Sequence, residues 1–471
     1  MAKVNEFELG VQRTGKARFS DEANIQYIYS GDIEQDTQTL SKMIQHHAEH
    51  QIPRLWTLQQ YYKGTNVNIL IGKRRREEHL ADNRATHNFA RYVSQFIQGY
   101  LMGVPLKTSH PEESTDELLR DINRINDADE HNSDLALDQS IYGRAYELVY
   151  RNEQHETRFT NLSVLETFVI YDDTIEQRPI AAVRYFKRQF QDESVVFLYT
   201  KDKVYQYDLD AAFKLRLVGE SHHFFNGVPV VEYSNNKFRQ GDFEDVLSLI
   251  DLYDAAQSDT ANYMQDLNDA MLVIKGNLEI DVEKAKRMKE NNILMLQTEG
   301  DADGRAGNAD ADYIYKQYDV AGTEAYKDRL FNNILLFTSI PNLLDDKTTT
   351  GQASGEALKM KLFALTQKRA TKERLFKKSL RDRYRLISNV LNKASEATFD
   401  VSDITITFTE NLPSMVDAEL QWFTQAGGRL SQETLLENLS FVNNAKEEME
   451  RIISENPSRT LSEYLDVVED E

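Results

Sequence analysis

Between Gly322 and Leu391 the pattern of apolar and polar positions describes a helix, a polar hinge and a second, longer helix. The first, GTEAYKDRLFNNILLFTSI, stops at Ile340-Pro341. Proline has no amide hydrogen to donate and pushes the residue before it out of the α region. The segment PNLLDDKTTTGQASGEA follows, with three threonines, two glycines and the Asp345-Asp346-Lys347 charge cluster. LKMKLFALTQKRATKERLFKKSLRDRYRLISNVLNK then continues without proline or glycine. At roughly 1.5 Å per residue it predicts a rod of about 55 Å, longer than one ordinary core requires. A polar loop held between two rods is a part suited to touching something that moves past it.

Elsewhere the periodicity divides the chain more conventionally. Residues 1–30 are polar and read as an arm, and 31–62 are helical, broken at Pro53 and closed by Gly64. A helix is predicted over Asn83–Met102, stopped by Gly103-Val104-Pro105, with further helices near Ser114–Asn126 and Asp129–Tyr142. Between Arg144 and Asn235 the period changes from 3.6 to 2, and AYELVYR, TFVIYD, AAVRYF, SVVFLYT, KVYQYDL and VPVVEYS predict an antiparallel sheet packed on the preceding helices. From Asp242 to Ile274 the chain returns to helix without a single lysine or arginine. Asp251, Asp254, Ser258, Asn262, Asp266 and Asp269 recur every three or four residues there and form one polar, acidic stripe. A small α/β insert follows, with strand-like LEI and ILMLQ, a charged helix around Val282–Glu290, YIYKQYD and the turn-rich EGDADGRAGNAD. After the long helix come a strand, DITITFT, and helices from Ser414 to the acidic terminus. The fold class is α+β, mainly helical. At 471 residues the chain divides into two to four domains.

The formal net charge of −22 changes the picture most. Proteins that grip duplex DNA gain affinity by neutralising phosphates, whereas this chain as a whole repels nucleic acid and anionic membranes. Cysteine is absent, which excludes disulfides, thiolate nucleophiles and Cys-ligated metal sites. No apolar run approaches the roughly 20 residues of a membrane span, and MAKVNEFELGVQRTGKARFS has no apolar signal core, so a soluble, unprocessed chain is expected.

Chemical motifs are few. GxxxxGK[ST], HExxH and GxSxG are missing, and GQASG has the wrong spacing, so no nucleotide site or hydrolase is indicated and no cofactor is expected. His46 and His50 share a helical face at ligand spacing, but the sequence nominates no third ligand, and a solvated face carrying His46, His47 and His50 is the expectation. Asp301, Asp303, Asn308 and Asp310 fail the EF-hand order because Arg305 takes the fifth position, and Asp172-Asp173 reads as a turn. Lys73–Arg76 reads as a solvated patch. The long helix carries Lys359, Lys361, Lys368, Arg369, Lys372, Arg374, Lys377, Lys378, Arg381, Arg383 and Arg385 beside a seam of Leu358, Leu362, Leu365, Phe376, Leu380, Tyr384, Ile387 and Leu391. Those cations suit DNA phosphates or the acidic faces of neighbouring subunits, and the net charge favours the subunits.

An ordered series of segments carries a resemblance. ADNRATHNFARYVSQFIQGYLMGVPL, DQSIYGRAYELVY, FVIYDDTIEQRPIAAVRYF, EYSNNKFRQGDFEDVLSLIDLYD, SDTANYMQDLNDAMLVIKG, YKQYDVAGTEAYKDRL and SGEALKMKLFALTQKRATKERLFKKSLRDRYRLI succeed one another as they do in portal proteins of long-tailed bacteriophages of Gram-positive hosts. The chain resembles that family over nearly its whole length.

The resemblance implies a ring, usually a dodecamer, at one capsid vertex. Its roles would be genome packaging, head–tail joining and DNA ejection. It implies an arm (1–30), a wing (31–241, β-rich over 144–235), a stem helix (242–272), a clip (273–322), a second stem helix (323–340), a tunnel loop (341–355), a long helix with a wing strand (356–413) and a crown (414–471). Implied partners are other copies of the chain, the terminase large subunit, the head-completion adaptor, major capsid and scaffolding proteins, and passing double-stranded DNA; no membrane is implied. Assembly in host cytoplasm and residence in the virion follow. The expected DNA-facing loop residues are Asn342, Asp345, Asp346, Lys347, Thr348, Thr349, Thr350, Gly351, Gln352 and Ser354, and the expected acidic channel lining is Asp251, Asp254, Asp266 and Asp269. No enzymatic activity is expected. The competing readings are a cytoplasmic DNA-binding scaffold protein and a metal-dependent phosphodiesterase built on His46, His50 and nearby aspartates.

Overall fold

The structure, a computed structural model, describes residues 19–71, 81–190, 194–266, 271–276, 293–297, 310–314, 319–342, 355–409, 422–426, 431–437, 439, 442 and 445–455. It divides into two compact units, Met1–Thr349 with Lys361–Glu410, and Thr350–Met360 with Asn411–Glu471.

The first unit begins earlier than its composition implies. Residues assigned to the polar arm include β1 (Tyr27–Ile28), which pairs in parallel with β5 (Thr167–Tyr171) at the edge of a sheet. α1 (Thr37–His46) starts at Asp36, whose carboxylate accepts the Thr39 amide at 2.9 Å. It passes through a π-turn, His47–Gln51, into α2 (Ile52–Lys63). The irregularity therefore lies just before Pro53, which sits in the first turn of α2, where a missing amide hydrogen costs little. Gly64 closes α2 at φ 81°, the left-handed conformation that suits glycine. After α3 (Val67–Leu70), residues 83–88, expected to be helical, belong to no helix, and α4 (Phe89–Met102) begins at its cap Asn88. α5 (Glu113–Ile125) and α6 (Ala128–Tyr142) fall within a residue of expectation. Gly143 then turns the chain at φ 83°, and a Cβ there would lie 2.1 Å from the Arg239 carbonyl oxygen.

The β-rich stretch is two sheets rather than one. β5 to β9 (Thr167–Tyr171, Pro179–Lys187, Ser194–Tyr199, Lys203–Leu209, Leu215–His222) form an antiparallel meander, extended by β1 to six strands. β3 (Arg144–Arg151), β4 (Thr157–Leu162) and β10 (Val230–Ser234) form a second antiparallel sheet in the order β10-β3-β4. A short pair joins β2 (Lys107–Ser109) to β14 (Thr405–Thr407). α7 (Leu247–Asp266) is shorter than expected, since Met271 already belongs to β11 (Met271–Gly276). β11 pairs in parallel with β12 (Ile293–Gln297) and antiparallel with β13 (Asp310–Ile314), while LEI lies outside the described residues. α8 (Val320–Thr338) ends at Ser339, in the left-handed region at φ 64°, two residues before Pro341.

The long rod is present as α9 (Gly355–Lys393). Phe376, Leu380, Tyr384, Ile387 and Leu391 enter a core with Leu101, Leu119, Leu135, Val149 and Phe159. A second cluster, with Leu40, Ile44, Phe168, Val183 and Val196, holds α1 against the six-stranded sheet. In the second unit, α10 (Gln432–Glu437) and α11 (Ala445–Glu455) belong to a small cluster of Leu436 and Leu439 with Phe423, Val442, Met449 and Ile452.

Inside the first core sits a buried ion pair. Arg383 and Glu147 are both 0% exposed, joined at 2.8 Å and again from Nε at 3.0 Å. His131 Nε2 lies 2.7 Å from the Glu147 carboxylate, the Tyr233 hydroxyl donates to it at 2.7 Å, and Arg383 lies 4.3 Å from the Phe159 ring centroid. Burial pushes the Glu147 carboxyl up, but the Arg383 charge and the His131 contact outweigh it and hold it at about 2.

Glu147→Ala is expected to lower stability by about 3–5 kcal/mol in chemical denaturation, because it strands a buried guanidinium. Because the carboxyl lies at about 2 in the fold against an ordinary 4.5, its contribution is full above pH ~4.5 and fades as pH falls towards ~2. Glu147→Gln is therefore expected to flatten the loss of stability across that window, as read by denaturation midpoints from pH 5 to pH 2.5.

Candidate functional site

The acidic stripe, from Asp251 to Asn262 on α7, does not face solvent. Asp254 and Ser258 are 0% exposed, Asn262 1% and Asp251 7%. The non-helical residues 81–88 run alongside this face. The His87 amide donates to Asp254 at 2.9 Å, the Ala85 amide to Ser258 at 3.0 Å and the Asn83 amide to Asn262 at 2.5 Å. Alternate residues of the segment thus meet every fourth residue of the helix. The two spacings match, since two residues of extended chain rise about 6.6 Å and four of helix about 6 Å. The periodic side chains of α7 act as acceptors for a backbone that has no strand to pair with, which buried amides require.

The remaining carboxylate capacity is used the same way. Asp254 also takes His87 Nδ1 at 2.8 Å and the Asn66 amide, while Asp251 accepts from the Tyr61 hydroxyl and, at 2.7 Å, from Asn68. Burial pushes the Asp254 carboxyl up, against the opposing pull of His87 and Asn66. The expectation that Asp251 and Asp254 line a channel is therefore corrected: they are internal anchors of residues 61–87. The Asp266 side chain and Asp269 lie outside the described residues.

α9 is also more internal than its composition implies. Lys372 pairs with Asp242 at 2.7 Å and Lys368 with the same carboxylate at 3.0 Å, Lys372 and Asp242 being almost fully buried. Burial alone would raise the Asp242 carboxyl, but the two ammonium groups hold it well below the carboxylate range. Arg369 lies 5.5 Å from the Tyr100 ring centroid and bonds Glu373 at 2.8 Å, and Arg383 belongs to the Glu147 pair. These four cations are paired within the chain, Lys372, Arg369 and Arg383 of them buried. Arg374, Lys378, Arg381 and Arg385 remain exposed. Sequence reasoning missed this split; the signal was the placement of Arg369, Lys372 and Arg383 among the apolar positions of the seam.

Of the expected loop residues, Asn342 bonds Asn332 of α8 at 3.1 Å. Asp345, Asp346, Lys347, Thr348, Thr349, Thr350, Gly351, Gln352 and Ser354 lie outside the described residues, as do Lys73–Arg76 and Asp301, Asp303 and Asn308. Asp172 closes its own turn, accepting from Thr174 Oγ1 at 2.7 Å and the Arg178 amide at 3.0 Å. His47 is buried and bonds the Tyr185 hydroxyl at 2.7 Å, so the histidine face is not the solvated one expected. His46 and His50 do stand together, with ring centroids 4.6 Å apart, and Glu22 joins them. A cavity of about 720 Å³ between β10, the β5–β6 turn and α9 mixes Arg178, Lys378 and Arg385 with Glu232 and Asp382, a lining that favours no single ligand charge.

The model of one family, described as phage portal protein, SPP1 Gp6-like, matches residues 41–459. A portal protein of Bacillus phage SPP1 is 25% identical over 459 residues, covering 90% of this chain and 87% of its own. A portal protein of Clostridium phage phiCD119 is 26% identical over 400 residues, 78% of this chain and 83% of its own. A solved chain from the neck of a native GTA particle, computed with C12 symmetry, covers 74% of this chain and 89% of its own at TM-score 0.41 and 13% identity, too low to constrain the fold.

Asp254→Ala is expected to cost on the order of 2 kcal/mol by leaving the His87 amide without its acceptor and removing the carboxylate partner of Asn66. Hydrogen exchange should show faster exchange at the amides of Asn83, Ala85 and His87, with the six-stranded sheet unchanged.

Proposed function

The chain belongs to the SPP1 Gp6-like family of phage portal proteins, and we propose that copies of it close into a dodecameric ring whose channel carries the phage genome. Its role is that of a phage portal, a structural component of the virion. The observation that carries the reading is the family match over residues 41–459, sustained by two curated portal proteins over most of this chain.

In this reading the wing is built from residues 31–241 and 356–413, the stem from α7 and α8, the clip from residues 273–322 around β11–β13, and the crown from 414–471. The clip meets the terminase large subunit during packaging and the head-completion adaptor afterwards. The crown faces the capsid interior, and capsid and scaffolding proteins surround the ring during assembly in the host cytoplasm. Exposed apolar side chains support subunit contacts: Leu336 and Phe337 on α8 are 69% and 64% exposed, and Leu252 on α7 is 47% exposed. Large apolar groups left in water on a helix favour association with another surface, and head-to-tail contacts close into a ring when the rotation closes.

DNA passes without being held because net negative charge disfavours phosphate binding. The stem contributes stiffness, not the acidic wall expected of Asp251 and Asp254, whose carboxylates are occupied internally. Contact with the duplex falls to the loop from Asn342 to Ser354, where Thr348, Thr349 and Thr350 offer hydroxyls and Lys347 one cation. It acts as a guide or valve, and chemical work comes from the terminase.

Two experiments test this. Leu336→Asp with Phe337→Asp is expected to shift the assembled species to monomer in native mass spectrometry without loss of helical content; rings that persist with both aspartates would contradict the contact. The chain has no cysteine, so Thr349→Cys supplies a single thiol. In packaged particles it is expected to cross-link DNA carrying a thiol-reactive group, while Leu252→Cys is not; no cross-link from position 349 would contradict the loop assignment.

A further inference from the structure

We propose that Glu22, His46 and His50 form a binding site for one zinc-class divalent ion, which pins the N-terminal segment of the chain to the α1–α2 helix. The three side chains come from two separate segments. Glu22 stands on a 3-10 turn, Asp21–Asn24, while His46 ends α1 and His50 lies in the π-turn that joins α1 to α2. One ligand atom from each of the three lies within 4.8 Å of the other two. His50 Nδ1 is already 3.3 Å from a Glu22 carboxylate oxygen. Tetrahedral zinc with bonds near 2.0–2.1 Å holds its ligand atoms roughly 3.4 Å apart. The Glu22–His50 pair already has that separation, and partial exposure leaves both side chains room to close on His46.

The surroundings of His46 suit a ligand. The Tyr27 hydroxyl lies 3.0 Å from His46 Nδ1, so Nε2 is the nitrogen left for an ion. A ligating imidazole ordinarily has its second nitrogen engaged in this way, which fixes tautomer and ring orientation. Two imidazoles and one carboxylate are a donor set that zinc accepts, with water in the remaining position. His46 and His50, four residues apart, keep to one side of the helix across the entry to the π-turn, with ring centroids 4.6 Å apart. No acid–base partner or substrate cleft accompanies the cluster among the described residues, so the role assigned is structural.

What the ion would hold is visible in the neighbouring contacts. Asn24 donates to the Phe238 carbonyl at 2.7 Å and accepts from Arg144 at 2.8 Å, and Tyr27 leads into the edge strand β1. The segment is thus already tied to the turn after β10 and, through Tyr27 and the Gln51 side chain that donates to the Ile25 carbonyl at 3.0 Å, to the helix; an ion would reinforce the second tie. An ion bound only by the folded state raises stability in proportion to the logarithm of its concentration over Kd.

The test uses the full chain without a polyhistidine tag, stripped with chelator and titrated with Zn²⁺ or Co²⁺ alone. One equivalent per chain is expected, with visible Co²⁺ absorption bands and a rise in Tm on adding Zn²⁺. His50→Ala and Glu22→Gln are each expected to weaken binding at least tenfold while leaving the metal-free Tm within a degree or two, since both side chains are partly exposed. Absence of binding at tenfold excess of either ion, or unchanged affinity in both variants, overturns the proposal. Ring assembly, read in the same samples by native mass spectrometry, separates this result from the fate of the portal reading.

Discussion

Arg383 and Lys372 are cations with almost no exposure to water, and the carboxylates of Glu147 and Asp242 make that burial tolerable. A charge left alone in a core is strongly destabilising, so each pair fixes where α9 can sit. Glu147 is on β3 of the three-stranded sheet and Asp242 on the approach to α7. Arg54 of α2 adds a third closed pair, with Glu244, at 2.7 Å from Nε. The long helix is therefore registered against the sheet at one point and against the approach to α7 at another. A rod placed by apolar contacts alone would be freer to slide by a turn.

The same need for partners explains α7. Asp254, Ser258 and Asn262 are buried as acceptors for residues 83–87, and Asp251 as an acceptor for Tyr61 and Asn68. In the ring proposed above, passage of DNA rests on the net charge of the whole chain and on the polar segment after α8, while α7 itself is a helix braced along one side by residues 61–88.

Much of the architecture was legible in the sequence. Helix and strand periods located α5, α6, α8, α9 and the β-rich region, and Pro341 and Gly64 marked real helix ends. Three features were not legible. A period of 3.6 cannot tell a polar stripe facing solvent from one facing backbone amides, so Asp251 and Asp254 were misplaced. The residues before Asn88 fit a helical pattern, yet the acceptors on α7 win their amides. Glu22 could not be nominated beside His46 and His50, because only tertiary folding brings residues 21–24 to the π-turn. The family resemblance, carried by ordered segments rather than any one motif, was the part of the function that the sequence held most fully.

A cryo-EM map of the assembled protein tests the central claim most directly. The account predicts a closed annulus in which residues 342–354 form the narrowest part of the bore and Asp251 and Asp254 point away from it, against residues 61–87 of the same chain. An assembly with no central opening, or one whose bore is lined by those two aspartates, would contradict it.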